Sequence, residues 1–231
     1  MAEGGNNQPN DQLYQDLCVN VEQWIIAMGG DSHGRNICDA MFTMLGYDRY
    51  DEGVRLANPC NFAVGGKRAM SYMGDPMFLR LRGSLAPIIV LELGGNDLDM
   101  ELSRPWTTVV VDILTLFVEL SRAGKIVYIV GLPWRHSSRW QDVPLMKSKI
   151  QHINRKLKRD LNTRFIAIPP PCYPITSFEV SRRGERVHLR PEFYEMAADR
   201  ILFRINMDLQ NRRTPTSMVM RKVNLTLESF F

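Results

Sequence analysis

The chain has 231 residues, 29 Lys and Arg against 25 Asp and Glu, and a formal net charge of +4, with 45% apolar and 23% charged residues. That length suits one domain with a sizeable core, and the composition is ordinary for a globular protein. So small a net charge does not demand a nucleic-acid partner, and the cysteine pattern argues against both a zinc site and a disulfide framework: Cys18, Cys38, Cys60 and Cys172 are widely spaced and form no CxxC pair.

The positive charge is unevenly placed. Residues 147–164 carry seven Lys and Arg, residues 182–190 four, and residues 212–222 four. Such runs are expected to be solvated faces, with a polyanion-binding patch, and hence nucleic acid as a partner, as the alternative. The amino-terminal stretch MAEGGNNQPNDQ lacks the basic start and apolar core of a signal peptide. The apolar run at 109–120 is interrupted by Asp112 and Glu119, so no membrane span is expected. The expected location is intracellular and reducing, cytoplasmic by default of any targeting signal.

Residues 1–12 read as a disordered leader. Trp24-Ile-Ile-Ala-Met28 is a short apolar run ending in Gly29-Gly30-Asp31-Ser32, the form of a buried strand followed by a tight turn. Ile37, Met41, Met44 and Leu45 then recur at helical spacing, which puts Ser32 at a strand-to-helix junction. A second strand is expected over 58–64, closed by Gly65-Gly66. Residues 87–93 give the clearest strand, bounded by Pro87 and by Gly94-Gly95. A long helix follows over 105–122, then a strand over 125–130, a basic amphipathic helix over 143–161 and a last strand over 164–168. Residues 191–209 close the domain as a helix with Pro191 in its first turn.

Strands alternating with helices predict a mostly parallel sheet of about five strands covered on both faces. The domain is expected over 13–210, with 211–231 as a tail in which 218–227 has the composition for an edge strand. Ligand sites of such sheets lie outside the carboxyl ends of the strands. The turns at 29–32, 65–66 and 94–97 all fall there.

A serine hydroxyl is a poor nucleophile until a base takes its proton, so Ser32 needs an imidazole. The chain offers His33, His136, His152 and His188. His33 adjoins Ser32 in sequence and is expected to point elsewhere, and His152 lies in the basic helix, where a surface position is expected. His136, in a loop after a strand, is a candidate for substrate contact, and His188 precedes the last helix at a plausible sheet-top position. Bland alternatives stand beside these. Ser32 suits a helix cap, Asn96 and Asp97 suit a turn, and Glu92, Asp97 and Asp99 lack the His or Cys partners of a metal site. Gly29-Gly30 lacks the extra donors of a phosphate cradle. No cofactor is expected.

Gly30-Asp31-Ser32, Asn61-Phe-Ala-Val-Gly-Gly66, Gly94-Gly-Asn-Asp97 and Glu185-Arg-Val-His188 together resemble, in order, the four blocks of the SGNH, or GDSL-like, hydrolases. The resemblance spans about residues 24 to 205, and its flavour is nearest to hydrolase domains carried by some animal retroelements. It implies a flavodoxin-like three-layer α/β/α sandwich and a cofactor-free esterase working through an acyl-enzyme. Ser32 would be the nucleophile and His188 the base. The main-chain N–H of Ser32, that of Gly66 and the side-chain amide of Asn96 would form the oxyanion hole. The substrate would be a small-molecule, lipid or glycan acyl ester. One position departs from the pattern: the Asp usual three residues before the histidine is Glu185, whose extra methylene moves its carboxylate. The alternative is a catalytically silent binding module using the same cleft and its basic flanks.

Overall fold

The computed structural model describes residues 25–45, 50–51, 54–55, 60–100, 103–133, 143–168, 188–210, 220, 223–224 and 226–229. The expected leader, Cys18, Trp24, His136, Cys172 and Glu185 lie outside the described residues. In chain order the elements are β1 (Ile26–Gly30), α1 (Ser32–Met44), β2 (Tyr50–Asp51), β3 (Val54–Arg55), α2 (Ala69–Tyr72), α3 (Pro76–Gly83), β4 (Ile88–Glu92), α4 (Gly95–Met100), α5 (Trp106–Arg122), β5 (Ile126–Val130), α6 (Val143–Leu161), β6 (Phe165–Ile166) and α7 (Pro191–Gln210).

The main sheet is parallel, in the order β1-β4-β5-β6, with Ile26 opposite Ile88 and Ile88 opposite Ile126. Its central strand β4 is buried at all five positions, as expected of a strand covered on both faces. Helices α1 and α7 pack against each other as one layer, and α5 and α6 as another. Helix α5 buries eight apolar side chains between Val109 and Leu120. Each such Val, Leu, Ile or Phe is worth roughly 1.5–3 kcal/mol on leaving water, which makes α5 the main apolar anchor of its layer.

Among the described residues the main sheet has four strands where about five were expected. The segment expected as a strand over 58–64 does run beside β1: Met28 N–H donates to Cys60 O, Phe62 N–H to Met28 O and Val64 N–H to Gly30 O. It forms only a single bridge, Asn61 to Met28. The Asn61 side-chain oxygen accepts from Ala63 N–H at 3.1 Å, between the Phe62 and Val64 N–H groups that bond to β1. A further correction concerns the tail. Residues 220, 223–224 and 226–228 are helical rather than an edge strand, and Val223 and Thr226, three apart, are buried together. The short antiparallel pair β2–β3 was not anticipated.

The end of β1 depends on a glycine. Gly30 has φ +143°, and a Cβ there would lie 2.1 Å from the Glu92 carbonyl oxygen on β4. That oxygen accepts the Asp31 N–H at 3.1 Å, so the two strand ends are held in contact. Gly30→Ala should therefore lower stability by ~3 kcal/mol or more, from backbone strain and a clash that no rotamer relieves. Urea unfolding that places the variant within 1 kcal/mol of wild type, taken as about the smallest meaningful loss, would contradict this account.

Candidate active site

Asp31, not Ser32, caps α1. Its side chain is fully buried and accepts the His33 N–H at 2.8 Å. Ser32 is thus the first helical residue, and its hydroxyl lies 2.9 Å from Nε2 of His188. These two residues are 156 positions apart, brought together by the packing of α1 against α7.

The second and third turns meet the first through Asn96. Its Nδ2 donates to Asp31 Oδ2 at 2.9 Å and to the Lys67 carbonyl at 3.0 Å. One amide group therefore joins the turns that follow β1, the 60–64 segment and β4. The residue beside Lys67, Gly66, has φ +76°, and a Cβ on it would meet nothing within 4 Å. The left-handed backbone, rather than crowding by the protein, is what calls for glycine there. Lys67 also pairs with Asp75 at 2.6 Å. That contact, followed by the Met77 N–H, holds the Asp75 carboxyl below its ordinary value.

Asp97 is buried beneath these turns. It accepts the Ala69 N–H at 2.8 Å and lies 3.7 Å from Arg104, which also pairs with Asp112. Burial pushes the Asp97 carboxyl up, opposed by the Ala69 N–H and the Arg104 charge. The residue thus anchors the start of α2, just after Gly66, and is not a bare turn residue.

His152 is exposed, as expected, with Nδ1 2.7 Å from the Ser148 carbonyl oxygen. His33 is buried rather than turned to solvent, with Nδ1 3.0 Å from the Tyr194 hydroxyl. Tyr194 was not singled out from sequence; its position in the first turns of α7, shortly after His188, was the available signal. A groove of about 450 Å³ runs between α1 and α7, lined by Asn36, Asp39, Thr43, Pro191, Tyr194 and Glu195. A separate basic cleft of about 660 Å³, lined by Arg155, Lys158, Arg159 and Arg204 among others, lies along the β6 edge.

Among the described residues no group of three His, Cys, Asp or Glu gathers as a metal site, and no helix is long and apolar enough to cross a membrane. Cys38 and Cys60 are buried outside any disulfide, and burial pushes the Cys60 thiol up to about 12.

No protein-family model matches the chain, and no curated protein matches its sequence. Solved structures do. A putative acylhydrolase from Bacteroides fragilis covers 90% of this chain and 100% of its own, at 15% identity and a TM-score of 0.54. A carbohydrate esterase family 3 protein from Talaromyces cellulolyticus covers 82% and 99%, at 13% identity and a TM-score of 0.55. A GDSL-like lipase from Bacteroides thetaiotaomicron covers 90% and 98%, at 15% identity and a TM-score of 0.52. The chain has the SGNH hydrolase fold. In that fold Ser32 and Asn96 follow the carboxyl ends of the parallel strands β1 and β4, Gly66 follows the bridged 60–64 segment and His188 precedes α7, where open α/β sheets carry their ligand sites.

Because Asn96 serves the buried Asp31 carboxylate, Asn96→Ala should cost about 1–3 kcal/mol of stability, the range for stranding a buried polar partner. Chemical denaturation at neutral pH measures it, and an unchanged midpoint would mean that Asp31 and Lys67 do not depend on this amide.

Proposed function

We propose that the protein is a serine hydrolase of carboxylic esters, with Ser32 as nucleophile and His188 as base. The observation that carries this reading is the 2.9 Å contact between Ser32 Oγ and His188 Nε2, made beside a half-buried amide and a glycine turn. Support for the ester class comes from the fold neighbours, among them an acetyl xylan esterase at 17% identity with a TM-score of 0.53. The substrate class is a small-molecule or glycan ester.

In this scheme Ser32 Oγ attacks the acyl carbonyl carbon while its proton passes to His188 Nε2. The carbonyl π pair moves onto oxygen, where the N–H groups of Ser32 and Gly66 and the Asn96 amide receive it. As the carbonyl re-forms, the C–O bond to the alcohol breaks, and the departing oxygen takes the proton from His188. Water then repeats the sequence on the acyl-enzyme, giving the acid and free Ser32. Asn96 enters with both donations directed at Asp31 and Lys67, so it serves the oxyanion by shifting one of them as negative charge develops. A donor at such an oxyanion is worth about 3 kcal/mol. Glu185 is assigned the role of orienting the His188 imidazole, on its place three residues before it.

A fluorophosphonate probe should label the wild type and leave Ser32→Ala unlabelled. Failure to label the wild type would favour the silent binding module instead. Asn96→Ala should lower kcat on a short-chain aryl ester by about 10²–10³ with KM nearly unchanged, because the contact strengthens mainly in the transition state. A loss confined to KM would move Asn96 to substrate binding. Glu185→Gln should lower kcat while leaving the unfolding midpoint in place, since the productive tautomer loses its carboxylate partner. Equal rates for the Glu185→Gln variant and the wild type would give the orienting role to another group.

A further inference from the structure

Behind the dyad lies a pair of buried polar side chains that the scheme above leaves unused. His33, the residue after Ser32, is 0% exposed, and Tyr194 on α7 is 6% exposed. Nδ1 of His33 stands 3.0 Å from the Tyr194 hydroxyl oxygen. That oxygen accepts the main-chain N–H of Leu189 at 3.1 Å. Leu189 is itself buried and directly follows His188. The imidazole of His33 also lies against both rings, its centroid 5.4 Å from that of His188 and 5.9 Å from that of Tyr194.

Helix packing alone does not account for these residue types. An apolar residue at the second position of α1 would satisfy burial without any requirement for a partner, whereas imidazole and phenol hydroxyl in such a place destabilise the fold unless they are hydrogen-bonded. Their bonds form one chain. Leu189 N–H donates to the phenol oxygen, and the phenol hydroxyl shares a hydrogen bond with His33 Nδ1. The chain starts one residue after the base and ends one residue after the nucleophile, so it fixes the distance between the two backbone segments that carry them.

We propose that His33 and Tyr194 are positioning residues for His188, a role that rests on the hydrolase reading of the site. Neither touches substrate. Together they hold the segment at 188–189 against the first turn of α1, so that Nε2 stays within reach of Ser32 Oγ while the imidazole gains and loses its proton. Small displacements of a reacting group are costly, up to about 10²-fold in rate for 1 Å.

Four proteins decide it: wild type, Tyr194→Phe, His33→Leu and His33→Asn. Tyr194→Phe removes one oxygen from a buried ring. His33→Leu removes the ring nitrogen, and His33→Asn restores a hydrogen-bonding atom close to where Nδ1 stood. With p-nitrophenyl acetate, Tyr194→Phe and His33→Leu should lose about 10-fold or more in kcat, with KM within about 2-fold, and His33→Asn should recover most of the loss. Fluorophosphonate labelling rates should follow kcat. Wild-type kcat in both Tyr194→Phe and His33→Leu would overturn the proposal, as would a His33→Asn variant no better than His33→Leu at equal melting temperature. The second measurement needs no turnover. In ¹⁵N-labelled protein, Tyr194→Phe should shift the His188 ring signals and speed exchange of the Leu189 amide. A wild type that is inactive and unlabelled would sink the hydrolase reading, while unchanged His188 signals and Leu189 exchange would sink the positioning role by itself.

Discussion

The Asp31 carboxylate is fully buried, and its two oxygens take the His33 main-chain N–H and the Asn96 side-chain amide, so one side chain ties the turn after β1 to the turn after β4. A carboxylate in such a place is tolerable only when its oxygens are occupied. Asn96 passes the constraint on to Lys67, in the turn that carries Gly66. The positions of the Ser32 hydroxyl, of the Gly66 amide and of the Asn96 amide itself all follow from this one buried group. Beneath it, Gly30 lets the strand ends of β1 and β4 meet without a side chain between them.

A second buried acid, Asp97, does comparable work. Asp97 holds the amide of Ala69 and faces Arg104, which reaches Asp112 on α5. The turn containing Gly66 is thereby braced against the helix that contributes most to its layer. Two neighbouring residues at the start of α4, Asn96 and Asp97, thus face different tasks: one joins the turns carrying Asp31 and Lys67, the other anchors the start of α2.

Much of this was legible in the sequence because it rests on local chemistry. Glycine pairs marked the turns at 65–66 and 94–95, while the pair at 29–30 proved to be the end of β1 rather than the turn after it, and periodicity placed α1, α5, α6 and α7 close to their observed bounds. The order of the four blocks pointed to Ser32, Asn96 and His188. What stayed hidden depends on distant partners. Nothing near His33 indicates that its ring is met by Tyr194, 161 residues away. Expecting His33 to point away from Ser32 was sound for a helix, yet gave no hint of where it would point. The segment at 60–64 has strand-like composition and bonds to β1 from Cys60 to Val64, yet only one residue pair, Asn61 with Met28, forms a full bridge. At 220–228 the apolar residues suit either period, and burial of Val223 with Thr226 settles on the helix.

Ser32 lies in the first described helix and His188 just ahead of α7, the last long one, and α7 packs on α1. On a ribosome adding about 5–20 residues per second, roughly 8–30 s separates the appearance of the hydroxyl from that of the imidazole. Through that interval β1, β4 and β5 can pair while Ser32 lacks its hydrogen-bond partner His188. On the proposed reading of the site, a product truncated ahead of His188 would therefore present the Ser32 hydroxyl without its imidazole, however well its sheet had formed.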